Sequence, residues 1–213
     1  MGKYVVLDLE MSHVEKEVRK ELYNFGTEII EIGAVVLDDK YNIEDKFLSY
    51  VKPQYSQIDE FIHNLTHISH ENTDDAPVFE DALKMFLNWL PEDAILVSWS
   101  DTDKHQFVGE MDAKKILNPK MKSYFKTWVD CQKLFSEKMD SPKVYNLTEA
   151  LNIVGIDYEE GAHDALVDAY NTALLFAKMQ RDKDFKPVAY YATEEDSESG
   201  YNPFFDLLNN IEI

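Results

Sequence analysis

Asp8 and Glu10 close an apolar run, Val5, Val6 and Leu7, and stand two residues apart. In an extended chain side chains alternate between faces, so positions i and i+2 share one. Two carboxylates that close repel each other unless a cation lies between them. Hard divalent ions meet that need. Mg²⁺ or Mn²⁺ takes oxygen ligands in near-octahedral geometry, and a pair roughly 4 Å apart can hold both the attacking and the leaving oxygen of a phosphoryl transfer. A strand end that reaches solvent with two ordinary surface acids is the plain alternative, and Asp-x-Glu after an apolar run does not separate the two. Further groups of the right chemistry recur downstream. They are Asp101 and Asp103 in "LVSWSDTDKHQF" (96–107), and His163, Asp164 and Asp168 in "GAHDALVDAYNTA" (161–173).

Whether these groups meet depends on the elements that carry them. Residues 3–10 read as a first strand, and "TEIIEIGAVVLDD" (27–39) and "DKFLSYVKP" (45–53) as two more, with the short polar turn "DKYN" predicting an antiparallel hairpin. A helix is predicted within "PVFEDALKMFLNWL" (77–90), with Pro77 in its first turn and Phe79, Leu83, Phe86, Leu87 and Leu90 on one face. "DAILVSWS" (93–100) reads as a fourth, mostly buried strand. A helix follows from about Asp103, then a short strand near "TWVDC" (127–131) and helices in "YNLTEALNIVG" (145–155) and "HDALVDAYNTALLFAKMQ" (163–180). A hairpin first, then strands separated by helices, is the pattern of an α/β fold with a mixed sheet. Ligands in such sheets gather beyond the carboxyl ends of central parallel strands, where Asp8 and Glu10 are expected.

Composition narrows the classes. A chain of 213 residues with 45% hydrophobic content suits one compact domain, expected over 1–186, with an acidic tail over 187–213. The start "MGKYVVLDLE" lacks a basic segment followed by a long apolar one, and no apolar run approaches the roughly 20 residues that cross a bilayer, so the expected location is cytoplasmic with no membrane role. Cys131 is the single cysteine, which excludes an internal disulfide framework and a cysteine-cluster zinc site; within "WVDCQKLF" it reads as a small buried residue rather than a nucleophile. The formal charge of −20 argues against non-specific binding to a polyanion. It is unevenly spread. Glu194, Glu195, Asp196, Glu198, Asp206 and Glu212 lie in a tail without Lys or Arg, whereas residues 113–128 carry Lys114, Lys115, Lys120, Lys122 and Lys126 and no acid, interleaved with Tyr124, Phe125 and Trp128. That strip reads either as a path for a nucleic-acid backbone or as a solvated helix and loop.

Taken in order, "DLE", "SWSxxDxxxF" and "HDALVDA" resemble the DEDDh family of 3′–5′ exonucleases. The likeness runs over roughly residues 3–181 and includes "EIIEIGAVVLD" and "YNLTEALNIVGI". It implies an RNase H-like mixed five-stranded sheet flanked by helices, with Asp8, Glu10, Asp103 and Asp168 as ligands of two Mg²⁺ or Mn²⁺ ions and His163 as the general base. Other branches of the family carry tyrosine as the base. Asp103 fits the motif better than Asp101, and Asp168 better than Asp164, an acid suited to favouring the helix dipole. The implied reaction is hydrolysis from a 3′ end to nucleoside 5′-monophosphates, with the ions activating water and stabilising the leaving 3′ oxygen.

Within the family, "DLEMS" and the polar insert "HVEKEVRKELYNFGTEIIEIG" (13–33) are similar to the RNA-trimming branch more than to polymerase proofreaders, so single-stranded 3′ ends are the expected partner, RNA before DNA. Expected substrate contacts are Met11, Ser12, His67, Trp99, Lys114, Lys115, Lys120 and Lys122, with His67 standing where relatives commonly have glycine. His63, His67 and His70 read as residues of a cleft rim or, alternatively, a metal cluster. Two other functions share these features: a non-catalytic nucleic-acid-binding module, and a proofreading-type subunit docked through its tail. In the tail, Phe204, Phe205, Leu207, Leu208 and Ile211 within 201–213 read as an apolar segment that binds a partner or packs on its own domain.

Overall fold

The computed structural model describes residues 2–158 and 163–187. Its elements, in chain order, are β1 (Tyr4–His13), α1 (Lys16–Glu21), β2 (Thr27–Leu37), β3 (Ile43–Tyr50), α2 (Glu60–Thr66), α3 (His70–Thr73) and α4 (Phe79–Trp89). They continue with β4 (Ile95–Ser98), α5 (Thr102–Ala113), α6 (Pro119–Tyr124), β5 (Val129–Asp130), α7 (Cys131–Lys138), α8 (Leu147–Ile153) and α9 (Ala165–Arg181). The strands form one sheet in the order β3-β2-β1-β4-β5. The β1–β2 and β2–β3 pairs are antiparallel, and β1–β4 and β4–β5 are parallel. This is the mixed five-stranded sheet flanked by helices of the RNase H-like fold, as expected from the sequence.

Period-two alternation splits the strands between two cores. Val5, Leu7, Leu9, Ile32, Ala34 and Val36 face α4 and α5 and pack with Phe79, Phe86, Phe107 and Met111. Val6, Val35, Leu37 and Val97 face the other way, against Phe135 of α7, Leu151 of α8 and Ala173, Phe176 and Met179 of α9. Because β2 is covered on both faces, it is buried from Glu28 to Leu37, whereas edge strand β3 is mostly open to solvent.

Two boundaries differ from the sequence reading, the end of β1 and the start of α4, each for a local reason. Strand β1 does not stop near residue 10 but continues with β2 to His13, its register shifting between Glu10 and Met11. Its parallel pairing with β4 ends at Val6, so Asp8 and Glu10 lie beyond the parallel ladder, in the crevice left where β4 turns away. Pro77 lies outside α4, before N-cap Val78, where its carbonyl accepts the Lys52 N–H at 2.9 Å. Helix α5 buries Asp103, Gln106 and Glu110 alongside Phe107 and Met111, so a polar stripe faces inward and apolar periodicity does not mark its buried face.

Candidate active site

Alternation on β1 places Asp8 and Glu10 on the face that α9 covers, because Val6 on the same face belongs to the α9 core. Helix α5 begins just past β4 and turns Asp103 back toward β1, where its Oδ1 accepts the Leu9 N–H at 3.1 Å. Asp168, in the first turn of α9, accepts the Tyr158 hydroxyl on Oδ1 and the His163 N–H on Oδ2, the latter at 3.2 Å. His163 takes the left-handed backbone conformation, φ 65°, which directs the chain into α9 two residues before the helix begins. One ligand atom from each of Glu10, His163 and Asp168 lies within 4.8 Å of the others, the single such grouping among the described residues.

The electrostatics are lopsided. Glu10 is 8% exposed and Asp103 6%. Burial pushes the Asp8 carboxyl well above the usual carboxylate range, and Asp103, Asp168, Glu10 and Glu31 push it the same way. Burial raises Glu10 to about 8, with Asp168, Glu31, Asp103 and Asp164 adding to the rise. Burial also lifts Asp103, against the pull of the Leu9 amide. Desolvated acids that repel one another persist at neutral pH when a cation is shared among them. Their oxygens are hard donors, so this set fits a divalent ion such as Mg²⁺ or Mn²⁺.

The neighbouring acids have other work. Asp164 is the N-cap of α9 and accepts the Leu166 and Val167 amides at 3.0 and 3.1 Å. Asp101 is exposed at the N-cap position of α5, 3.8 Å from His105 Nδ1.

The expected substrate contacts fare unevenly, and two require correction. Lys114 does not belong to a surface strip. Its side chain is 6% exposed, and its ammonium lies 2.7 Å from Glu28 Oε1 and 3.0 Å from Glu110 Oε1, enclosed by the rings of Tyr23, Tyr55 and Phe79. Ser12 is fully buried and its hydroxyl donates to the Gln57 carbonyl at 2.7 Å, so it offers no free hydroxyl to a ligand. Met11 packs against the α4/α5 core, and Trp99 against the α9 core beside Phe135. His67 is exposed and left-handed, φ 59°, as the C-cap of α2, a backbone state that glycine adopts freely.

Lys115, Lys120 and Lys122 are exposed, Lys120 donating to the Leu87 carbonyl at 2.6 Å. Tyr124 is core, and Phe125 and Trp128 pack against it. His63, His67 and His70 form no metal-ligand grouping; His63 Nδ1 meets the Ile68 carbonyl at 3.0 Å. Cys131 is buried and its thiol is pushed far up by desolvation, which is incompatible with a ready nucleophile. The tail from residue 188, including 201–213, lies outside the described residues.

Two residues of the site were not singled out from the sequence. Tyr158 reaches Asp168 from an irregular segment with no periodic signal. Glu31 is buried directly across the β1–β2 ladder from Glu10, a placement readable only once the register is known.

No described helix is long and apolar enough to cross a membrane. The exonuclease family model RNase_T matches residues 5–176. Among curated relatives, 3′–5′ exoribonuclease 1 of Rattus norvegicus is 31% identical over 171 residues, covering 74% of this chain and 48% of the relative. ERI1 exoribonuclease 2 of Danio rerio is 32% identical over 190 residues, covering 76% of this chain and 33% of the relative. The chain spans about half the length of the exoribonuclease 1 proteins it matches. Among solved structures, the nuclease domain of 3′hExo, described as a DEDDh family member bound to rAMP, aligns with a TM-score of 0.73 at 25% identity, covering 87% of this chain and 95% of that one. With the fold, the motifs and the family match in agreement, the chain belongs to the RNase_T exonuclease family and, within it, to the DEDDh 3′–5′ exonucleases.

Proposed function

We propose that the protein is a divalent-metal-dependent 3′–5′ exonuclease that releases nucleoside 5′-monophosphates from single-stranded 3′ ends, RNA before DNA. The observation that carries this reading is the convergence of Glu10, Asp168 and His163 within ligand distance beside the buried acids Asp8 and Asp103. The RNA preference is supported by likeness to proteins named exoribonucleases and to a domain solved with rAMP.

Asp8, Glu10, Asp103 and Asp168 would hold two ions, Mg²⁺ or Mn²⁺, which when bound supply Lewis acidity to the phosphoryl centre. The protein's own groups do the rest. His163 takes the proton of the attacking water. Its exposure lets the imidazole return that proton to solvent, and its backbone bond to Asp168 Oδ2 fixes its approach. The Leu9 amide keeps Asp103 turned toward β1. Incubating purified protein with 3′- and 5′-labelled RNA and DNA oligomers in Mg²⁺, Mn²⁺ or EDTA tests the proposal. Metal-dependent ladders shortening from the 3′ end, faster on RNA, are expected; cleavage that survives EDTA overturns it.

The histidine and the lysines can be tested separately. His163→Ala lowers turnover by about 10²–10⁴-fold while calorimetric Mn²⁺ affinity stays near wild type, as for loss of a general base. A matching drop in affinity would instead make the imidazole a ligand, the second reading its position beside Glu10 and Asp168 allows.

With Lys114 excluded, the exposed Lys115, Lys120 and Lys122 are proposed to guide the upstream backbone, beginning two residues past the end of α5, whose last residue lies about 15 Å along the helix from Asp103. Changing the three to glutamine weakens oligomer binding and lowers the log–log salt slope by about one unit for each phosphate no longer neutralised. Hydrolysis of a dinucleotide should be nearly unchanged, and equal loss on both substrates would remove these lysines from the path.

A further inference from the structure

Helix α9 supplies Asp168, and the turn before it supplies His163, so where this helix starts decides whether either group meets Glu10. That start rests on β2, a strand that contributes none of the proposed metal ligands. Glu31 is paired with Glu10 across the β1–β2 ladder, and Gly33 is paired with Asp8, so both occupy the face that carries the two acids. Glu31 is 1% exposed, and its Oε2 accepts the N–H of Ala165, the first residue of α9, at 3.0 Å. At Gly33 the helix lies directly on the strand. A Cβ there would fall 2.2 Å from both the Ala165 carbonyl carbon and the Leu166 nitrogen. Asp164 takes the next two amides of the first turn. Burying a fifth carboxylate beside four others is electrostatically unfavourable, and the contact that Glu31 makes there is to the helix start.

We propose that Glu31, seated beside Gly33, is the positioning residue for α9, setting the depth of its first turn so that His163 and Asp168 reach Glu10. The inference rests on the exonuclease reading for its catalytic consequence but not for its structural one, so the test carries readings of both kinds.

Two conservative variants separate position from charge. Glu31→Gln keeps an acceptor at the same reach and removes the charge; Glu31→Asp keeps the charge and withdraws it by one methylene from the Ala165 amide. Melting curves establish that both fold. In the metal-free protein, amide exchange over residues 165–168 should be near wild type in Glu31→Gln and faster by about tenfold or more in Glu31→Asp. Mn²⁺ affinity by calorimetry should fall about 10–100-fold in Glu31→Asp only, the range seen when a partner that orients a metal ligand is removed. The kcat on an RNA oligomer should fall with it while KM changes little.

The reverse pattern, with Glu31→Gln impaired and Glu31→Asp near wild type, would overturn the proposal and make the charge itself the active feature. So would two variants that both match wild type. If the wild-type protein hydrolyses nothing, the exonuclease reading fails, while the exchange and calorimetric readings still decide the role of Glu31.

Discussion

Asp8→Asn is expected to abolish metal-dependent hydrolysis and, in EDTA, to raise the melting temperature. The loss follows from removing a carboxylate that would share the ions. Several kcal/mol of transition-state charge stabilisation corresponds to about 10³–10⁴-fold in rate. The gain follows from the metal-free electrostatics, in which burial and then Asp103, Asp168, Glu10 and Glu31 all oppose ionisation of Asp8. Each kcal/mol of repulsion relieved should raise the melting temperature by about 2–4 °C in a chain of this size. Glu10→Gln should behave the same way.

The pH dependence has a definite sign. Glu10 has a carboxyl raised from 4.5 to about 8 in the folded state, so across that window the native state binds more protons than the unfolded chain. Metal-free stability therefore falls as pH rises from about 4.5 to about 8. The slope should flatten in Glu10→Gln, and Mg²⁺, which needs ionised ligands, should restore stability at the alkaline end. Melting curves at pH 5 and pH 8, with EDTA and with Mg²⁺, check this. A lower melting temperature for Asp8→Asn in EDTA would mean that the carboxylate makes a stabilising contact without metal.

Lys114→Met is expected to destabilise the fold by about 3–5 kcal/mol, the cost of removing one partner from a buried ion pair. The ammonium lies between Glu28 and Glu110 and donates to Gln54 Oε1 at 3.1 Å. Burial opposes ionisation of Glu28, but Lys114 and the amides of Tyr55 and Ser56 outweigh it and hold the carboxyl below its ordinary value. Burial pushes Glu110 up to about 7 despite Lys114 and the Ile29 amide, so without the lysine it should bind a proton at neutral pH. Such a loss is a large share of the roughly 5–15 kcal/mol that holds a domain folded. Lys114→Met combined with Glu110→Gln should recover part of it, since the cost of protonating the carboxyl at 110 is then removed. Urea unfolding reads both variants. A loss under about 1 kcal/mol for Lys114→Met would mean that the ammonium is solvated, as a surface pair would be.

The sequence by itself determined what depends on short spacing. Period two puts Asp8 and Glu10 on one face of β1, the polar turn 39–42 makes β2 and β3 a hairpin, and helical periodicity marks α4 and α9. The order of the three motifs was enough to name the family, because each motif is local and its chemistry is carried by residue type. Tertiary structure decided what depends on distant partners. Lys114 sits in a run that reads as a charged surface, yet Glu28, far away in the chain, and the inward polar face of α5 bury it, and no local pattern reports a partner so distant. Glu31 looks like any acid in "EIIEIG" until the ladder sets it opposite Glu10 and the helix start descends on it. Spacing chose the groups able to do the chemistry; strand register and helix seating, which arise from long-range packing, decided which of them meet.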